Sequence, residues 1–112
     1  MIEETVRDYL SGALDCPVWM EYPENPPERF VLLEKTGSGR GNYISRATFA
    51  VQSYGESLYE AARLNEQAKK AMDNLIFLNS ICDSSLNSDY VFNDTTNHRY
   101  RYQAVYDIVH YS

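Results

Sequence analysis

Three glycines alternate with other residues in "TGSGRGN", at Gly37, Gly39 and Gly41. Closely spaced glycines are the material of a phosphate cradle, because bare backbone N–H groups can close around an anion. Such a cradle also needs a Lys-Ser/Thr pair to reach phosphate and metal, and a helix N-terminus facing the anion. No such lysine follows here, and the G-x-G-x-G spacing departs from the dinucleotide fingerprint. The next residues, Tyr43–Tyr54, alternate apolar and polar as a strand does. The glycines are therefore read as a flexible hairpin tip, and no nucleotide cofactor is implied.

The other chemistry-bearing side chains are scattered. His98 and His110 lie twelve residues apart on the last predicted strand, too far to share a metal along it. "DSSLNSD" lacks the glycine and closing glutamate of a calcium loop and is read as a polar turn. Cys16 and Cys82 form no CxxC pair and are expected as separate buried thiols. No nucleophile-elbow or catalytic-cysteine signature is present. The reading offers no catalytic residue, no metal ligand set and no cofactor.

Charge is more informative. Residues 1–34 hold eight acids against two bases, which accounts for the whole formal net charge of −6. A basic footprint for direct nucleic-acid binding is missing. Lys35, Arg40 and Arg46 nevertheless gather around the predicted hairpin. Acids Glu3, Glu4 and Asp8 lie on the first helix. The acidic surface of one copy is expected to attract the basic arm of the next, and a heterologous contact that closes makes a ring. The contact residues on the arm side are Lys35, Gly37, Gly39, Arg40, Gly41, Tyr43 and Arg46. Ten tyrosines in 112 residues fit either contact surfaces or strand preference.

These residues need a scaffold. At 112 residues and 44% hydrophobic content the chain suits a single domain, residues 1–112, with a modest core. Ile2, Val6, Tyr9, Leu10, Ala13 and Leu14 have helical spacing, and Pro17 closes that element. Val18–Glu21 reads as a short strand, and "YPENPPE" as an extended connector. Arg29–Lys35 is a strand, Thr36–Asn42 a loop, and Tyr43–Tyr54 a strand of about 40 Å whose loop end projects as an arm. Ser57 with Glu60 fits a capping box ahead of a long helix, Leu58 to Ile81. Tyr90–Phe92 and Arg99–Tyr111 complete the strands. The order α-β-β-β-α-β-β predicts an α+β domain: a largely antiparallel sheet, both helices on one face, and a projecting hairpin. No apolar run approaches membrane-spanning length, and Glu3 and Glu4 stand where a signal peptide would be basic.

The blocks "PPERFVLLEKTGSGRGNY", "FAVQSYGESLYEAARL" and "HRYRYQAVYDIVHY" give the chain a resemblance to the tail terminator (tail completion, minor tail) proteins of long-tailed bacteriophages. The resemblance runs from about Ile2 to Tyr111. It implies a small α+β subunit, assembled in the bacterial host cytoplasm, that forms a hexameric ring on the tail tube of the virion. It implies three partners: further copies of the chain, the major tail tube protein, and the head–tail connector or stopper protein. The implied function is to end tube polymerisation and to present a joining surface at the tail–head junction, without turnover or cofactor. The competing expectations are another head–tail connector and a small ligand-binding α+β domain.

Overall fold

The computed structural model describes residues 1–112. Helix α1 spans Ile2–Ala13 and strand β1 spans Val18–Trp19. Strands β2 (Phe30–Gly39) and β3 (Ile44–Gly55) form a hairpin, followed by α2 (Leu58–Asp73) and a 3-10 turn (Asn74–Phe77). Strands β4 (Ile81–Val91) and β5 (Tyr100–Tyr111) end the chain. One sheet holds all five strands in the order β1-β2-β3-β5-β4. Only the short β1–β2 pair is parallel. The α+β class and the element order are those read from the sequence. No helix is long and apolar enough to cross a membrane.

Periodicity builds the core. Ala47, Phe49 and Val51 of β3 stand opposite Ile108, Tyr106 and Ala104 of β5. That face meets Val6 and Leu10 of α1 and Ala61, Leu64, Ala68 and Met72 of α2, all fully or nearly fully buried. Burying side chains such as Leu64 or Met72 contributes about 1.5–3 kcal/mol each. The Ser57 hydroxyl accepts from Glu60 N at 3.1 Å and so caps α2. Its alanines at 61, 68 and 71 let the helix lie close on the sheet.

Several boundaries differ from expectation. Helix α2 stops at Asp73, not Ile81: Leu75 stays buried, but in the 3-10 turn, and Ile81 is already the first residue of β4. "DSSLNSD" is no turn. It forms most of β4, an edge strand anchored at its start by buried Ile81 and held along the rest by its ladder with β5. Two register shifts, at Ile81/Asp83 and Leu86/Ser88, break its alternation. The expected loop Thr36–Asn42 is half strand. β2 continues to Gly39 across a register shift between Lys35 and Gly37, so only Arg40–Tyr43 turns. The hairpin projects by this tip alone, because β5 flanks β3 all the way to Ile44↔Tyr111. The cysteines are also not buried thiols: Cys82 is exposed beside a β4 register shift, and Cys16 is half-buried after α1.

Candidate functional site

The residues predicted to make contacts come from the hairpin and α1. Their placement follows from strand geometry. Lys35 stands opposite Phe49 and so shares the helix-covered face, where its ammonium meets Glu3 Oε2 at 3.1 Å. Arg46, one residue from core-facing Ala47, points to the helix-free face. Arg40 is exposed at the tip. The three cations therefore do not share one surface. Backbone hydrogen bonding first, then Lys35, holds the Glu3 carboxyl below its usual range. Glu4 and Asp8, four residues apart on α1, remain on the exposed side of the helix.

The glycines differ from one another. None has a positive φ. A Cβ on Gly39 would meet nothing within 4 Å, and one on Gly37 would make ordinary contact with Thr48 Cβ at 4.0 Å. A Cβ on Gly41 would lie 2.4 Å from Ile44 O, so the tight turn requires that glycine. Tyr43 beside it is 82% exposed. The tip thus carries a cation and an aromatic ring with no intramolecular partner for either side chain.

Both long sides of the sheet end without a neighbouring strand. On one side β1 covers only Val31 and Leu32 of β2, and Glu34 to Gly39 lie beyond it. On the other side β4 has no neighbour beyond β5. An unpaired edge exposes a row of backbone donors and acceptors.

A second feature was not foreseen. The helix-free face carries an aromatic and guanidinium stack at the end away from the hairpin tip. Phe30 and Tyr54 stack with ring centres 4.4 Å apart, and Tyr22 of the proline-rich connector meets both edge-on at 5.8 Å. Arg99 lies 5.5 Å from the Phe30 ring, and Arg101 sits 4.3 Å from Phe92 and 5.6 Å from Tyr54. Arg99 also donates to the backbone oxygens of Pro27 and Glu28, which pins the connector to the sheet.

Asp94 completes this stack. Its Oδ2 accepts from the Tyr54 hydroxyl at 3.1 Å and from Asn97 Nδ2 at 2.9 Å, and its Oδ1 accepts from Asn97 N. Burial opposes its ionisation, but bonds from Asn97 and Tyr54 and the charge of Arg101 outweigh that and lower its pKa. Burial raises the pKa of the Tyr54 hydroxyl. Alternation placed Gln52 on this face but gave no sign that the face was covered. The clue was the run of aromatics and arginines (Trp19, Tyr22, Phe30, Arg99, Arg101), whose convergence needs the fold.

Every polar atom of this stack named above is engaged with another, which describes a brace. His98 lies in the turn before β5, and His110 lies near the end of that strand. No group of three or more His, Cys, Asp or Glu side chains converges as metal ligands would.

No protein-family model and no curated protein matches the chain. Among solved structures, the chain is similar to one in the virion of a native gene transfer agent particle. That match has 8% sequence identity and a TM-score of 0.48, over 96% of this chain and 84% of the other. Likeness at that level fixes neither a family nor an activity.

Proposed function

We propose that this chain is a structural subunit of a phage-type particle. Copies join into a ring that caps the tail tube, ends its polymerisation and offers the opposite surface to the head–tail connector. The observation that carries the reading is that one sheet is left open on both sides by the same chain. Open edges are a hazard that a lone protein guards, and two different edges on one subunit suit joining in series. The sequence blocks that resemble tail terminators supply the particular role and the virion location.

In this reading the exposed tip residues Arg40, Gly41 and Tyr43, with Arg46, meet a neighbouring copy or the tube. Glu4 and Asp8 form the acidic surface on the other side. Lys35 and Glu3, paired with each other inside the chain, contribute less to either contact. Gly37 and Gly39 belong to the open edge of β2.

The second reading, another head–tail connector, is favoured by the same open edges. Deleting the gene and imaging particles separates the two. Overlong tails support the terminator. Tails of normal length that fail to join heads support the connector. Normal particles refute both.

A further inference from the structure

We infer that copies of this chain join through one short antiparallel seam, with Gly37–Gly39 of β2 against Asp83–Ser85 of β4 in a neighbouring copy. The inference rests on the self-assembly reading above and adds which edges meet and in what register.

The register of the sheet carries the argument. Gly39, Arg46, Val109 and Asp83 form one row across β2, β3, β5 and β4. Ser38, Ala47, Ile108 and Ser84 form the next, and Gly37, Thr48, Asp107 and Ser85 the third. The two outer strands are thus both regular over the same three rows. Register shifts bound this stretch: one between Lys35 and Gly37 on β2, and two on β4, at Ile81/Asp83 and Leu86/Ser88. Irregularities of this kind stop an edge from pairing. They leave a window of matched height on both sides of the sheet.

Direction agrees with this. Each of the pairs β2–β3, β3–β5 and β5–β4 is antiparallel, so β4 runs opposite to β2. Rotation about an axis along the strands preserves those directions. The neighbour's β4 therefore meets β2 antiparallel, at the same height.

Side chains select this pairing over its alternatives. Gly37 and Gly39 put no bulk on the helix-free face, and glycine in a strand permits close approach by another backbone. Arg46 shares its row with Gly39, so its guanidinium can extend over the bare backbone toward Asp83 of the neighbouring copy. The two positions lie about 10 Å apart, two strand spacings, within the combined reach of Arg and Asp. Within the window β4 carries Asp83 and no cation, its other acid Asp89 being paired with Lys69, whereas the hairpin carries Arg40 and Arg46. Pairing β4 with β4 would bring two acidic edges together, and pairing β2 with β2 would offer Arg46 no acid, because Gly37–Gly39 carry no charge. Only the heterologous join sets opposite charges together, and a heterologous join that closes makes a ring.

The test is a Gly39→Cys, Asp83→Cys protein in a Cys16→Ser, Cys82→Ser background, which removes both native thiols. Within one chain β3 and β5 separate these positions by three strand spacings, about 14 Å. That is beyond the range of roughly 4.4–6.8 Å between Cα atoms that a disulfide spans, so any bond must join two copies. Mild oxidation at the highest soluble concentration should give a ladder of covalent multimers on a denaturing gel. Either single-cysteine variant should stop at dimers. Arg46→Asp should raise the concentration for half-assembly several-fold, and adding Asp83→Arg should restore it. Absence of the ladder overturns the seam. A chain that sediments as a multimer without giving a ladder refutes the seam but leaves the self-assembly reading standing.

Discussion

Gly55→Ala should destabilise the chain markedly, while Gly39→Ala should not. Gly55 ends β3 directly under the first turn of α2. An added Cβ would stand 2.5 Å from Ala61 N and 2.9 Å from Glu60 C. Both are backbone atoms of a helix whose Ala61 and Leu64 are fully buried, so the helix start must shift. The φ of Gly55 is not positive, so the penalty is steric and not conformational. Overpacking of this kind costs about 1–3 kcal/mol. The reduced entropy of the unfolded chain gives back about 0.4–1 kcal/mol. The net loss runs up to about 2.6 kcal/mol, centred on about 1.3, with roughly 3–8 °C in Tm for each kcal/mol at this size. At Gly39 the added methyl meets nothing, so only the entropic gain remains and the variant should be neutral or more stable by up to about 1 kcal/mol. Urea unfolding followed by Trp19 fluorescence, at a concentration low enough to avoid self-association, measures both. Equal effects, or a larger loss at Gly39, would refute the claim that close approach and not hairpin flexibility requires glycine at 55.

Two further outcomes probe the polar bonds that tie helix and turn to the sheet. The lowered pKa of Asp94 means that its contribution to stability is present above the unfolded carboxyl value, about 4, and is lost as pH falls through the folded value below it. Urea midpoints between pH 6 and pH 2.5 should therefore fall less steeply for Asp94→Asn than for the unaltered chain, and parallel curves would rule out its role as an ionised acceptor. The Tyr106 hydroxyl bonds Lys69 O at 3.0 Å and Asp73 Oδ1 at 2.8 Å, so Tyr106→Phe should cost about 1 kcal/mol in chemical denaturation without changing the m-value, and an unchanged midpoint would dismiss the bond.

How far the sequence could be read depends on what each element packs against. Helix α2 was legible because its stripe of Ala61, Leu64, Ala68 and Met72 is dictated by one buried face. Its end was not, since Leu75 and Leu78 prolong the same spacing while the backbone tightens into a 3-10 turn. Strand β3 was legible on its core face, Ala47, Phe49 and Val51. Alternation also implied a wet second face, yet Gln52 and Tyr54 are buried there. A connector returning over that face leaves no periodic mark in β3 itself. Strand β4 was illegible because its displaced register breaks the alternation, and its middle, "DSSLNSD", has the composition of a turn. For the contact residues, position in the chain suggested a cluster of Lys35, Arg40 and Arg46. The pleat sends Lys35 and Arg46 to opposite faces, which spacing reveals only once the register shift at Lys35/Gly37 is known.

The two ends of the sheet are held in different ways, and that difference bears on assembly. At the connector end Phe30, Tyr54, Arg101 and Asp94 interlock on a face no helix covers, so large side chains already occupy the surface a partner would seek. At the hairpin end the outer strands offer Gly37, Ser38 and Gly39 on one side and Asp83, Ser84 and Ser85 on the other. Small side chains there bury little within the chain and leave the backbone accessible. An edge of that kind still has about half of its backbone hydrogen-bonding groups to satisfy, whereas at the braced end the face is already filled by its own side chains. A second copy would therefore be drawn to the hairpin half of the sheet, and the brace would keep the remainder rigid enough for both edges to present the same three rows.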